Sequence, residues 1–192
     1  MFNDTSTPLS LLATRRSGKP RDLVAPGPSV EQLREMVGLA SRTPDHGKLF
    51  PWRFVIVADE ARDTLAATMG AILASEKDDC GPRDVAAAEE FARQAPALVV
   101  VLSAPVQGHK IPVWEQELSA GAACMNLLHA AAAMGFAGGW LSGWAAYSDE
   151  VRDLFGSEGQ RIAGFIFIGT PGRELEERPR PELDQILTIW NG

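Results

Sequence analysis

The sequence predicts a protein of mixed α and β structure, because strand-like and helix-like segments alternate along the chain. Runs rich in β-branched and aromatic residues have the length and composition of buried strands at Arg53–Ala58, Ala97–Ser103 and Arg161–Ile168. Amphipathic or Ala-rich segments of helical length lie before and between these runs. The chain has 192 residues, of which 45% are hydrophobic and 22% charged, and this suits one well-buried core. We therefore expect a single domain over residues 1–192.

The N-terminal part is predicted to form two helices joined by an extended connection. A Thr-Pro step starts a first helix that ends near Arg15–Gly18. Lys19–Pro28 is rich in proline and is expected to be an extended surface connection. Ser29 and Gln32 have the spacing of a capping box, and apolar residues at helical spacing continue this second helix until Pro44 stops it.

The remaining elements follow from periodicity and from helix end signals. Two helices are expected at roughly 60–75 and 83–94, between the first two strands. Trp114–Met134 is predicted to be a long Ala-rich helix, which Gly135 ends. Later elements are a short strand at Ala137–Leu141, a capped helix at Ser148–Phe155, and a charged, Pro-containing C-terminal arm over about 172–192 that lies across a surface.

Charge and cysteine content exclude several function classes. A net charge of -7 and a pI near 5.0 give no overall positive field, so neither nucleic acid nor a membrane surface is expected as a partner. Cys80 and Cys124 form no CxxC pair, so neither a metal site nor a disulfide framework is expected. The uncharged stretch Leu118–Ser148 is rich in Ala and Gly, which favours a buried helix followed by a strand over a membrane span. No signal peptide is visible, and we expect a cytoplasmic protein.

The common catalytic and nucleotide-binding motifs are absent from the sequence. It has no GxGxxG after a strand, no GxxxxGK[ST] and no GxSxG, although Gly139–Gly143 reads GWLSG. Only three histidines are available for nucleophilic or acid-base chemistry. The absence of these motifs therefore disfavours a Rossmann nucleotide site, a P-loop and Ser/His/Asp chemistry.

Four polar clusters lie at the predicted ends of regular elements, and such placement favours ligand binding. They are Arg15-Arg16-Ser17, Arg42 with Pro44-Asp45-His46, Trp140–Gly143, and Gly169–Pro171. Arginine offers a fixed fork of donors to a phosphate, a serine hydroxyl can add one more, and an imidazole can serve a phosphate or a sugar-alcohol chain. For Arg15 and Arg16 alone, a second interpretation stays open, because basic residues also stabilise the C-terminal end of a helix dipole.

Taken together, these segments resemble the nitroreductase superfamily, in its small bacterial branch. The matching segments are Arg15–Ser17, Ala40–Val57, His109–Gly121, Gly135–Gly143 and Gly164–Pro171. The resemblance implies an α+β, nitroreductase-like fold with a central, mainly antiparallel sheet flanked by helices, in an intertwined homodimer that holds FMN at its interface. The residues that match the family's FMN contacts, some of them reaching the partner's cofactor, are Arg15, Arg16, Ser17, Arg42, His46, Trp140, Leu141 and Ser142.

The segment Trp140–Ser142 matches the part of the family that lies beside the isoalloxazine ring. The glycines around it, Gly138, Gly139 and Gly143, are expected to permit close approach of backbone to a flat ring. Relatives commonly carry Arg where this chain has Leu141, so a positive charge near the cofactor is missing here. Trp52, Trp114 and Trp144 are expected in the core or at a dimer interface rather than around a substrate.

The function implied by the resemblance is a ping-pong oxidoreductase. NADH or NADPH reduces FMN and leaves, and a small electron-poor acceptor such as a nitroaromatic or a quinone is then reduced in the same place. An alternative is a flavin-binding or flavin-sequestering protein with little turnover. A third is an interaction module without a cofactor, in which the polar clusters are only helix ends.

Overall fold

The computed structural model describes residues 2–192, and its centre is an antiparallel sheet. Its five strands are β1 (Leu23–Val24), β2 (Trp52–Val57), β3 (Ala97–Ser103), β4 (Ala137–Leu141) and β5 (Arg161–Pro171). The strands pair in the order β1-β5-β3-β2, and β4 pairs with β5 as well. Every one of these pairings is antiparallel.

Helices cover both faces of the sheet. In residues 2–192 they are α1 (Pro8–Thr14), α2 (Val30–Ala40), α3 (Arg62–Glu76), α4 (Pro82–Arg93), α5 (Val113–Ala133), α6 (Trp144–Tyr147), α7 (Asp149–Asp153) and α8 (Leu183–Ile186). Single 3₁₀ turns occur at Pro20–Asp22 and Asp59–Ala61. The α+β class, with a mainly antiparallel sheet between helices, is confirmed.

The central strand β3 is buried on both faces, which explains its uninterrupted apolar sequence. Leu98, Val100 and Leu102 pack in one cluster with residues of α3, α4, α6 and α7. Val99 and Val101 point the other way and pack with α2 and α5. Because successive side chains of a strand alternate between faces, one short strand joins two hydrophobic layers.

The capping box of α2 and the glycine after α5 are confirmed as helix end signals, whereas α2 ends at Ala40, before it reaches Pro44. The Ser29 hydroxyl accepts a hydrogen bond from the Gln32 backbone N–H at 3.2 Å, and the Gln32 amide oxygen accepts one from the Ser29 N–H at 2.9 Å, so the capping box is complete. Gly135 follows α5 with φ of +85°, the left-handed conformation that ends a helix. No helix within residues 2–192 combines the length and apolar character needed to cross a membrane.

The connection Lys19–Pro28 differs from the expectation of a surface segment. Leu23 is only 5% exposed, belongs to a core cluster, and pairs with Pro171. The prolines restrict the backbone as expected, but they do not prevent one apolar side chain from reaching the core. Strand β5 is also longer than expected. It continues to Pro171, and its last two residues pair with β1.

The C-terminal residues 172–192 are mostly exposed. Leu175 is partly buried against the core cluster. Ion pairs from Glu176 to Lys19 at 2.9 Å and from Glu177 to Arg16 join this arm to the loop after α1.

Candidate functional site

The loop after α1 is attached to strand β4 by a close backbone contact. Gly18 N–H donates to the Gly138 carbonyl at 3.0 Å. A Cβ at Gly139 would lie 2.6 Å from the Gly18 oxygen, so this contact requires glycine. The space beside Gly138 is occupied by the Leu128 side chain, which would lie 2.7 Å from a Cβ at this position. Within the chain, these two glycines bring the Arg15–Ser17 loop onto β4, and the expectation that they permit close approach of a ring stays a prediction.

This attachment forms a cavity of about 430 Å³ between the loop, β4 and α5. Such a volume is within the range of small-molecule sites. The cationic lining residues are Arg15, Lys19, Arg21 and Arg178, and the apolar ones include Met125, Leu128, Trp140 and Leu141. Ser17, Gly139 and Gln94 complete the wall between them. A charged part and a flat apolar part of one ligand would both find complementary surfaces here.

The cationic side of the cavity has an excess of positive charge. Among residues 2–192, no carboxylate lies within salt-bridge distance of Arg15, Arg21 or Arg178. Burial, followed by the positive charges of Arg180, Arg16 and Arg178, lowers the pKa of Arg15. In a chain of net charge -7, this local surplus indicates a place for an anion.

The indole of Trp140 has a fixed position at the apolar side. Its Nε1–H donates to the Ala163 carbonyl at 3.0 Å. A Cβ at Gly164 would overlap the indole, so β5 is recessed where the ring lies against it. The ring is 40% exposed and lines the cavity.

The sequence-predicted residue Arg16 is close to this cavity but does not line it. Its guanidinium donates to the carbonyls of Ala13 at 3.1 Å and Arg15 at 3.0 Å, pairs with Glu177, and lies 4.8 Å from the centre of the Phe2 ring. The buried Arg16 Nε has no acceptor among the described residues. Arg16 therefore joins α1 to the C-terminal arm in this structure.

Ser142 lies on the other side of the same segment. It lines a second cavity of about 510 Å³, between α3, α4 and the start of α6. The walls of this second cavity are mostly apolar and include Met69, Leu73, Phe91 and Trp144. The tryptophans differ in burial. Trp52 is buried as expected, whereas Trp114 is 66% exposed and is therefore not part of this chain's core.

Arg42 and His46 lie apart from the cationic cavity of their own chain. Both side chains are exposed in the loop after α2, and His46 Nδ1 lies 2.8 Å from Glu115 Oε2 on α5. The eight predicted residues therefore separate into Arg15, Ser17, Trp140 and Leu141 around the cavity, Arg16 and Ser142 beside it, and Arg42 and His46 at a different surface.

Several cavity residues are not predicted by the sequence. Lys19, Arg21 and Gln94 lie in connections, and Arg178 lies in the C-terminal arm. One available signal is the alternation of Arg and Pro at Arg178–Pro181, since an extended, proline-restricted segment with spaced cations is suited to contact an anion. The cysteines take no part, because Cys124 is buried in α5 and Cys80 precedes α4.

The sequence of this chain is similar to those of known proteins. Residues 12–170 match the model of the Nitroreductase family. The chain is 39% identical over 166 residues to the Escherichia coli (strain K12) protein named "Putative NAD(P)H nitroreductase YdjA", covering 85% of this chain and 87% of that protein.

Solved structures agree with the sequence match. A nitroreductase-like family protein from Bacillus cereus superposes with a TM-score of 0.83 at 22% identity, covering 98% of this chain and 99% of that one. A variant of the FMN and NADPH-dependent nitroreductase NfnB from Sphigopyxis sp. strain HMH gives a TM-score of 0.70 at 20% identity, covering 94% and 97% of the two chains. With the family model and a close relative both spanning most of its length, the chain belongs to the nitroreductase family.

Proposed function

We propose that this protein is an FMN-dependent oxidoreductase that takes reducing equivalents from NADH or NADPH and passes them to a small electron-poor acceptor, such as a nitroaromatic or a quinone. We further propose a ping-pong order, in which the oxidised nicotinamide leaves before the acceptor enters. The protein would be a homodimer in which the second copy completes each site.

The observation that carries this proposal is the two-sided cavity. One side offers the guanidinium groups of Arg15, Arg21 and Arg178, which form no salt bridge within residues 2–192, and the other offers the apolar surfaces of Trp140 and Leu141. A phosphate with several oxygen acceptors is suited to the first side, and a planar ring to the second. FMN carries both features in one molecule.

The names of similar proteins support the same cofactors. The Escherichia coli relative is named as an NAD(P)H nitroreductase, and the similar NfnB fold is that of an FMN and NADPH-dependent enzyme. Family membership itself supports an oxidoreductase.

The roles of the chain's own residues are to bind and to orient. Arg15, Arg178 and the Ser17 hydroxyl would hold the phosphate, and Trp140 with Leu141 would limit the position of the ring. FMN, when bound, supplies the acceptance and donation of hydride. Because the cofactor would carry the chemistry, we assign no side chain of this chain a role as general acid or base.

A second copy would explain where Arg42 and His46 act. Exposed apolar side chains lie on α1 at Leu9 (76%) and Leu12 (61%), and on α5 at Trp114 and Leu118. Apolar surface of this kind is commonly covered in an obligate interface. A partner packed against α5 would bring its own Arg42–His46 loop toward the site of the first copy.

The test is a spectrum followed by an assay. We expect purified protein to be yellow, to release FMN on denaturation, and to oxidise NADH or NADPH when a nitroaromatic or quinone is added. Parallel assays with NADH and NADPH show which nicotinamide the enzyme prefers as reductant. Flavin binding without steady-state turnover would support the flavin-binding alternative, and colourless protein that takes up no added FMN would refute both.

A further inference from the structure

The carboxylate of Glu76, the last residue of α3, joins two points of the segment that follows β4. Its Oε2 accepts a hydrogen bond from Trp144 Nε1 at 2.7 Å, and its Oε1 accepts one from Ser148 Oγ at 2.6 Å. The Ser148 oxygen also caps α7 by accepting from the Val151 N–H at 3.1 Å. One carboxylate therefore fixes both ends of the four-residue helix α6.

The opposite end of this segment is fixed by Trp140, whose indole is hydrogen-bonded to the Ala163 carbonyl. Leu141, Ser142 and Gly143 are thus held between two anchored tryptophans. These residues form a wall shared by two cavities, because Leu141 lines the cationic one and Ser142 the apolar one. Gly143 has φ of +88°, so the backbone turns sharply before it reaches Trp144.

Helix α6 also packs against the sheet through two buried alanines. Ala145 and Ala146 are 3% and 9% exposed and belong to the core cluster. What the Glu76 carboxylate adds is direction, since charge-assisted hydrogen bonds are short and about twice as strong as neutral ones. The bond from Trp144 Nε1 restrains the indole ring, which follows directly after Gly143, and the bond from Ser148 Oγ restrains the other end of α6.

We propose that Glu76 is a positioning residue for the Leu141–Gly143 wall, which it holds in the geometry that binds the flavin ring. This inference rests on the proposed function, in which Leu141, the first residue of the wall, contacts the ring of FMN. Affinity for a ring depends on a rigid and correctly placed wall, because a mobile wall must be ordered on binding. The phosphate side of the cavity, formed by other segments, is unaffected.

The experiment compares two flavins on the full chain. Riboflavin has the ring of FMN without its phosphate, so a defect at the wall weakens both ligands by the same factor. For Glu76→Gln, which keeps the size of the side chain but presents an amide NH₂ to one of the two donors, we expect the Kd of FMN and of riboflavin each to rise about tenfold. The absorption spectrum of bound FMN should change as well. Glu90→Gln, an equal charge change on the exposed side of α4, should match the wild type.

A second variant tests the connection between the two residues. Trp144→Phe removes the indole donor, so adding it to Glu76→Gln should raise the Kd by less than the product of the two single effects. If Glu76→Gln binds both flavins with wild-type affinity and an unchanged bound spectrum, the inference is wrong, even if the melting temperature falls. A wild-type protein that binds neither flavin overturns the proposed function and this inference together, whereas an unaffected variant of a flavin-binding wild type overturns the inference alone.

Discussion

Replacing Arg15 with Gln should weaken cofactor binding without destabilising the cofactor-free protein. Arg15 has no carboxylate partner among residues 2–192, and its pKa is lowered by burial and by the charges of Arg180, Arg16 and Arg178. Its charge is therefore a cost in the free protein and becomes favourable only when an anion is present. This is the pattern expected of a side chain selected for binding.

The magnitude follows from the hydrogen bonds that a phosphate would make. A hydrogen bond to a charged group contributes roughly 1.5 to 3 kcal/mol, so the Kd of FMN should rise about 10-fold to 150-fold. Riboflavin has no phosphate, and its Kd should stay unchanged. In the free protein, relief of repulsion between partly solvated charges is worth at most about 1 kcal/mol, so the melting temperature should rise slightly or stay constant.

Flavin fluorescence titrations with FMN and riboflavin, together with thermal unfolding of the flavin-free protein, measure all three quantities. Arg83→Gln is the matched control, because Arg83 is an exposed arginine at the start of α4 that does not line the cavity and makes no salt bridge within the described chain. An equal loss of affinity for both flavins, or an unchanged affinity for FMN, would refute the assignment of a phosphate to this side of the cavity. A clear fall in melting temperature would show that the charge is needed for folding.

Two further substitutions and one labelling experiment test the packing of the site and of the core. Gly164→Ala places a methyl group where the Trp140 indole lies, so it should displace the ring, cost about 1–3 kcal/mol by overpacking, and weaken both flavins; urea unfolding and flavin titration measure this. Arg62→Met leaves three carbonyls at the end of α4 without their donor and should cost roughly 2–4 kcal/mol in urea unfolding, and a loss below the error of the method would contradict this role. Burial raises the pKa of the Cys124 thiol to about 12, so at pH 8 only about one part in ten thousand is thiolate, and a thiol reagent should label Cys80 alone in native protein but both cysteines in urea.

Local chemistry in the sequence was sufficient for most elements of the fold. The Ser29 capping box, the left-handed Gly135 after the long helix, and the apolar runs of β2, β3 and β5 each depend on residues that are neighbours in the chain. The same information explains the limits of the prediction. Helix α6 was not predicted, because the four residues after Gly143 are too few to show a periodic pattern. Their helical conformation depends on the packing of two buried alanines against the sheet.

The site shows a similar division. Arg15, Ser17, Trp140 and Leu141 were identifiable because each lies in a polar or glycine-bearing cluster at an element end. Arg178 was not identifiable, because the sequence does not indicate that the mostly exposed C-terminal arm folds back onto the cavity.

What the sequence by itself determined is the element order, the cofactor class through family resemblance, and the candidate residues, since these depend on residue type and short spacing. Only the tertiary structure decided which candidates meet. It joined the loop after α1 to β4 through glycines more than a hundred residues apart, placed Arg178 beside Arg15, and separated Arg42 and His46 from them. The physical reason is that contacts between distant segments are set by backbone pairing and by the packing of two faces of one sheet, and neither leaves a signature at any single position of the chain.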